Sequence, residues 1–233
     1  MKLSKLIDFQ NVEALSQKLQ AAKASRERFS IEIPERDCAN ALYAAMQAVV
    51  AQRGNTLNFD EATRQHISAA ARWLTDPAST PGLLLCGLCG NGKTTLAQAI
   101  SLLIGYVTEA ECGYSRKLSV PMYTAKEVCR MCAASERFAE EHAAYAELPK
   151  KEMIIIDDLG EEPREVLVYG MVHTPVIDLL SKRYAAQKVT IITTNLQTDE
   201  IREKYGARIY DRFTETLTPI IFENESYRKS RRK

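Results

Sequence analysis

Eight residues, Gly87-Leu88-Cys89-Gly90-Asn91-Gly92-Lys93-Thr94, match the spacing G-x-x-x-x-G-K-T. They follow the apolar run Leu83-Leu84-Leu85-Cys86 and precede a helical stretch from Thr95 to Ile104. That is the strand–loop–helix setting the motif requires. Phosphate oxygens need many donors at close range. Glycines let the backbone curl so that successive N–H groups point inward, and a helix N-terminus adds positive potential. On this reading Gly87, Gly90, Asn91, Gly92 and Thr95 build the phosphate loop. The Lys93 ammonium reaches the β- and γ-phosphates, and the Thr94 hydroxyl ligates Mg²⁺. ATP with Mg²⁺ is the expected ligand.

The rest of the chain supplies strands for such a loop. Short continuous apolar runs occur at 120–123, 153–156, 189–193 and 219–222, separated by helical stretches. Continuous rather than alternating runs are buried on both faces of a mainly parallel sheet, so the fold class is α/β from about residue 56 onward. The run Ile154-Ile155-Ile156 ends in Asp157-Asp158. In P-loop enzymes such a strand is expected beside the P-loop strand. Its terminal carboxylate, Asp157, would hold the Mg²⁺ shell, and Asp158 would polarise the attacking water. The strand Thr190 to Asn195 ends in polar residues. A side-chain amide or hydroxyl there can touch both the γ-phosphate and the water; Asn195 is the first candidate and Thr194 the second.

Ahead of this domain, residues 1–55 read as a small helical region. Val12, Leu15 and Leu19 give a narrow apolar stripe over 11–28. Pro34 opens a second helix with a broader stripe from Ala41 to Val50, and Gly54 is its stop. Asp60 is the expected N-cap of a helix through Trp73. The 233 residues carry 31 basic and 30 acidic groups, which excludes a strongly basic domain, yet five cations (Arg228, Lys229, Arg231, Arg232, Lys233) and no acid stand in the last eight residues. No run of 18 apolar residues and no signal-peptide core are present, so the expectation is a cytoplasmic protein without membrane contact. The six cysteines then read as reduced thiols. Cys86-x-x-Cys89 and Cys129-x-x-Cys132 mimic a zinc site, but Cys89 belongs to the phosphate loop, and folding it onto zinc would distort the anion cradle.

The P-loop, the D-D strand, the T-T-N strand and then Tyr205-Gly206-Ala207-Arg208-Ile209-Tyr210-Asp211-Arg212-Phe213 resemble the AAA+ ATPases of the DnaC/DnaI helicase-loader and IstB transposition-helper family. The ending Phe222-Glu223-Asn224-Glu225-Ser226-Tyr227-Arg228 is also similar, and the likeness covers roughly residues 56–228. It implies an AAA+ domain over 56–233; residues 1–55 lie outside the likeness and are expected to dock the partner. It implies that Arg212 is an arginine finger, supplied in trans to a neighbour in a homo-oligomer, with Arg208 second. Arg228 could contact nucleotide or simply be solvated. Asp158 stands where many AAA+ proteins have Glu, which suggests slow, partner-stimulated hydrolysis. A chain ending soon after its last strand leaves no room for a helical lid. The connector 159–173 is expected near a subunit interface or pore.

Three function classes compete. The first is an oligomeric ATPase acting with a replicative helicase, or alternatively with a transposase, on single- or double-stranded DNA. The second is a monomeric P-loop phosphotransferase, which would need an Arg-rich lid that is not found between the P-loop and Asp157. The third is a scaffold that binds ATP without turnover. The first is favoured by the combination of P-loop, Asn195 and Arg212.

Overall fold

The computed structural model describes residues 13–17, 28–112, 118 and 120–227. Most of the helix expected over 11–28, and the basic tail from Arg228, lie outside the described residues; residues 13–17 are helical (α1). The elements that follow are α2 (Glu35–Ala51), α3 (Glu61–Thr75), β1 (Gly82–Gly87), α4 (Lys93–Cys112), β2 (Met122–Thr124), α5 (Ala125–Ser135), α6 (Ala139–Glu147) and β3 (Met153–Leu159). Then come β4 (Val166–Val168), β5 (Met171–His173), α7 (Pro175–Ala185), β6 (Val189–Thr194), α8 (Thr198–Tyr205), α9 (Ala207–Thr216) and β7 (Leu217–Phe222).

Five strands form one parallel sheet in the order β2-β3-β6-β1-β7. Alternate side chains feed two cores, as a doubly covered strand requires. On β3, Met153 and Ile155 join the core of α2, α3 and α4, whereas Ile154 and Ile156 join that of α5, α7, α8 and α9. Ile191 and Ile192 on β6 divide in the same way. The architecture is therefore a three-layer α/β/α sandwich of the P-loop NTPase type.

Local chemistry starts the helices, at Asp60 where the sequence predicts it and also at Thr124, which sequence reasoning did not single out. Asp60 caps α3 by accepting from the Thr63 N–H at 2.8 Å. Thr124 and Glu127 form a reciprocal capping box on α5. The helix opened by Pro34 packs its stripe of Leu42, Ala45, Met46 and Val49 into the same core as Leu83, Leu96 and Ile100. Those residues thus share one core with β1 and α4.

Two features differ from expectation. The D-D strand does not adjoin the P-loop strand, because β6 pairs with both β1 and β3 and stands between them. Local periodicity identifies strands but carries no information on their order. The connector after β3 is not structureless either. It contains the antiparallel hairpin β4–β5, closed by Tyr169 and Gly170 at φ +47° and +81°. Positive φ at both turn residues gives the twist that a two-residue hairpin needs. Among the described residues no helix is long and apolar enough to cross a membrane.

Arg183 on α7 staples the segment entering β3 to the start of β6. It is 1% exposed. Its guanidinium donates to Thr190 Oγ1 (2.9 Å), to the carbonyls of Leu148 (3.1 Å) and Lys151 (2.7 Å), and to those of Val189 (2.6 Å) and Glu152 (3.4 Å). Burial pulls its pKa down to about 10, with Glu152 opposing, so it is still charged at neutral pH. Removing it strands buried carbonyls without donors. Arg183→Met should therefore lower the unfolding free energy by about 3 kcal/mol in urea titration. An unchanged transition midpoint would show that solvent replaces these bonds at no cost.

Candidate functional site

In a parallel sheet all strands end at one edge. Here β1, β3 and β6 deliver Gly87, Asp157 and Thr194 to it, and the chain beyond each strand opens a cleft of about 1030 Å³. Gly90, Asn91, Gly92, Lys93, Thr94, Thr95, Asp157, Asp158 and Asn195 all line this cleft. Gly87 lies behind it. With φ +146°, a Cβ there would fall 2.3 Å from the Phe222 carbonyl oxygen, so only glycine lets β7 run this close to the loop.

Lys93 is 5% exposed. Its ammonium donates to the carbonyls of Gly87 and Leu88, both at 2.7 Å, and to Asn91 Oδ1 at 3.1 Å. Asn91 in turn donates to the Phe222 carbonyl at 3.0 Å, which fastens the loop to β7. Burial lowers the Lys93 pKa, while Cys89, Asp158, Cys86 and Asp157 oppose that shift. An anionic phosphate would restore what burial removes.

Asp157 Oδ1 accepts from two hydroxyls, Thr94 Oγ1 at 2.9 Å and Thr193 Oγ1 at 2.6 Å. The Thr193 hydroxyl also accepts from the Asp158 N–H at 2.9 Å. That bond compensates for a local break in the ladder: the β3–β6 register shifts between Ile156 and Leu159, and Asp158 sits at φ +53°. A left-handed, non-glycine residue stores strain, and such residues cluster at functional sites. Its effect here is to turn consecutive carboxylates to the same cleft, where regular pleating would send one to each face.

Thr193 was not singled out by sequence reasoning, which favoured Thr194 as the second candidate. Both threonines are fully buried, and it is Thr193 that bonds Asp157. Thr194 donates to the Leu159 carbonyl at 2.6 Å. The signal was the two-residue period of a strand, which puts Thr193 rather than Thr194 on the side of Asn195. Residues distant in sequence complete the cleft. His66 stacks on Phe222 with centroids 3.8 Å apart. The Tyr227 N–H donates to the Gly90 carbonyl at 3.0 Å, and its hydroxyl meets Asp60 Oδ1 (3.0 Å) and Thr63 Oγ1 (2.9 Å).

Arg212 is elsewhere. It stacks on the Tyr184 ring at 4.8 Å and lines a small pocket of about 30 Å³ with Gly82, Lys188 and Thr190, where β1 and β6 begin. The six residues of β1 separate that end from the phosphate loop, a span of roughly 17 Å at about 3.3 Å per residue. Arg208 is exposed on α9, and Arg228 lies outside the described residues. Both C-x-x-C pairs are free thiols, and no metal-binding group of His, Cys, Asp and Glu occurs among the described residues.

The family described as IstB-like ATP binding protein matches residues 40–233. The chain belongs to this family. Among solved structures it is similar to a DnaC helicase loader, at 17% identity over 72% of this chain and 93% of that one, with a TM-score of 0.53. A putative primosome component from Streptococcus pyogenes serotype M3 also has 17% identity, over 72% and 82% of the two chains, with a TM-score of 0.53. Domain III of the Thermotoga maritima replication initiation protein DnaA has 19% identity over 74% and 68%, with the same TM-score. At such identities the likeness is one of fold. No curated protein matches the chain in sequence.

The residues fit the nucleotide the family binds. The loop backbone and Lys93 suit phosphates, and the hydroxyl–carboxylate set of Thr94 and Asp157 offers the hard oxygen donors that Mg²⁺ prefers. Lys93→Ala should weaken Mg-ATP binding by about tenfold or more, because charge-assisted contacts contribute about 1.5–3 kcal/mol each. A fluorescent-nucleotide titration with undiminished affinity would remove the basis of the site. Thr193→Val, close to isosteric, removes one of the two hydroxyls on Asp157 and should weaken the Mg²⁺ dependence of nucleotide binding in the same titration.

Proposed function

We propose that the chain is an oligomeric ATPase whose hydrolytic site is completed by a neighbouring copy. The observation that carries this is the separation of Arg212 from Lys93: an arginine side chain does not span the strand length between them, so a finger role requires a second chain. Lys93 and the loop N–H groups hold the phosphates. Thr94 and Asp157 hold Mg²⁺, which neutralises phosphate charge as it develops. Asp158 accepts a proton from, and orients, the attacking water, and Asn195 fixes water and γ-phosphate together. Arg212 of an adjoining subunit stabilises transition-state charge.

The partner is proposed to be nucleic-acid machinery, with a replicative helicase first, in keeping with the fold it shares with the DnaC loader. One observation favours a transposase instead, namely the IstB-like description of the family that matches residues 40–233. Docking is assigned to residues 1–55, of which α2 has committed one face to the core. The basic residues 228–233 would meet DNA phosphates without sequence preference.

Arg212→Ala should bind ATP almost normally yet lose turnover by about a hundredfold or more. Mixing it with Lys93→Ala subunits should restore activity, since one supplies an intact nucleotide site and the other an intact finger. Concentration-independent turnover without rescue would instead favour a monomeric phosphotransferase. Separately, deleting residues 228–233 while keeping Tyr227 should flatten the salt dependence of DNA affinity. Full-length protein that binds no DNA at low salt, with ATP present, would show that the tail is only solvated.

A further inference from the structure

Beyond the cleft, the chain following β3 makes a buried polar junction. Glu162 is 4% exposed. Its Oε2 accepts from the Gly160 N–H at 2.8 Å, and its Oε1 accepts from the Tyr205 hydroxyl. Lys204 donates to the carbonyls of Gly160 and, at 2.7 Å, of Glu162, and its ammonium lies 3.7 Å from the Glu162 carboxylate. Gly160 cannot move away. Its φ is +111°, and a Cβ would meet Leu196 Cγ at 2.7 Å, which presses this turn against the segment after Asn195. The turn is also closed on Asp158, whose carbonyl accepts from the Glu161 N–H at 3.1 Å.

The placement of Lys204 and Tyr205 gives this junction its meaning. They are the last two residues of α8, and only Gly206, at φ +84°, separates them from α9, which carries Arg212. Helix α8 starts three residues beyond Asn195, and its N-cap Gln197 forms a capping box with Glu200. The C-terminal end of α8 is therefore fastened to the turn after β3, while its N-terminal end continues from the strand that leads to Asn195.

We propose that Glu162 is a positioning residue that ties the Asp158 end of β3 to the α8–α9 unit bearing Arg212, so that the two parts of the ATPase machinery on one chain shift together. The proposal rests on the hydrolytic reading given above. A buried carboxylate bonded to a backbone N–H, a phenol and an ammonium resists displacement, because each lost bond leaves a polar group without water. Any displacement of Asp158 on nucleotide binding is therefore passed to Tyr205 and on to the start of α9, rather than absorbed in the loop. A purely structural role for the same cluster would hold the fold together but transmit nothing.

Hydrogen exchange on the full chain separates these roles. In unmutated protein, Mg²⁺ with a slowly hydrolysed ATP analogue should slow exchange both in the phosphate loop, 87–95, and in α9, 207–216. Glu162→Gln and the milder Tyr205→Phe should keep nucleotide affinity within about threefold and lose turnover about tenfold or more. In both variants protection of the loop should persist, while the α9 response disappears. An α9 response that survives in Tyr205→Phe overturns the proposal even if Glu162→Gln fails to fold. So does the lack of any α9 response in unmutated protein. The trans role of Arg212 is judged independently by subunit mixing, so failure of that reading is distinguishable from failure of this one.

Discussion

Asp157 Oδ1, gripped by the hydroxyls of Thr94 and Thr193, is the bond on which the site depends. With β6 inserted between β1 and β3, the phosphate loop and the D-D strand have no ladder of their own to hold them in register. Two hydroxyls reaching one carboxylate oxygen supply the missing connection. One comes from the start of α4 and the other from the intervening strand. The same Thr193 oxygen then steadies the left-handed Asp158. A single buried carboxylate thereby sets the relative positions of the loop, the acidic pair and the strand that leads to Asn195.

That arrangement is affordable because the rest of the sheet is apolar on both faces. Ile154, Ile155 and Ile156 are all fully buried, and so are Ile191 and Ile192. Their burial, at about 25 cal/mol per Å² of apolar surface, far outweighs one strained residue and a few dehydrated hydroxyls. Polar chemistry gathers at the two ends of the strands, with Arg183 and Thr190 where they begin and the ligand cleft where they finish.

Much of this was legible from residue order. The phosphate loop, the five sheet strands, the Asp60 cap and the convergence of Lys93, Asp157, Asp158 and Asn195 all follow from short-range patterns. What was not legible depends on neighbours across the sheet. Strand order is decided by crossovers and packing, so β6 could not be placed between β1 and β3 from periodicity. Thr193 and Thr194 are identical as letters, and only the pleat tells which one reaches Asp157. Tyr227 reaches Asp60 and Thr63 from more than 160 positions away, a contact that no local pattern encodes. The hairpin β4–β5 was hidden because its turn uses Tyr169-Gly170 rather than the usual Asn-Gly or Asp-Gly pair.

The strand direction has a consequence for symmetry. The phosphate loop lies at one edge of the sheet and Arg212 at the other, so a chain that lends its arginine does so with a different surface from the one that receives. In two copies related by a two-fold axis every contact occurs twice, so such a pair would complete both sites or neither. Under the trans-finger proposal head-to-tail packing is the alternative, and it has no natural stopping point unless the rotation closes. An open row would leave one nucleotide without an arginine at one end and one arginine without a nucleotide at the other. A closed ring would leave neither, so the ratio of competent sites to chains would itself report whether the assembly is open or closed.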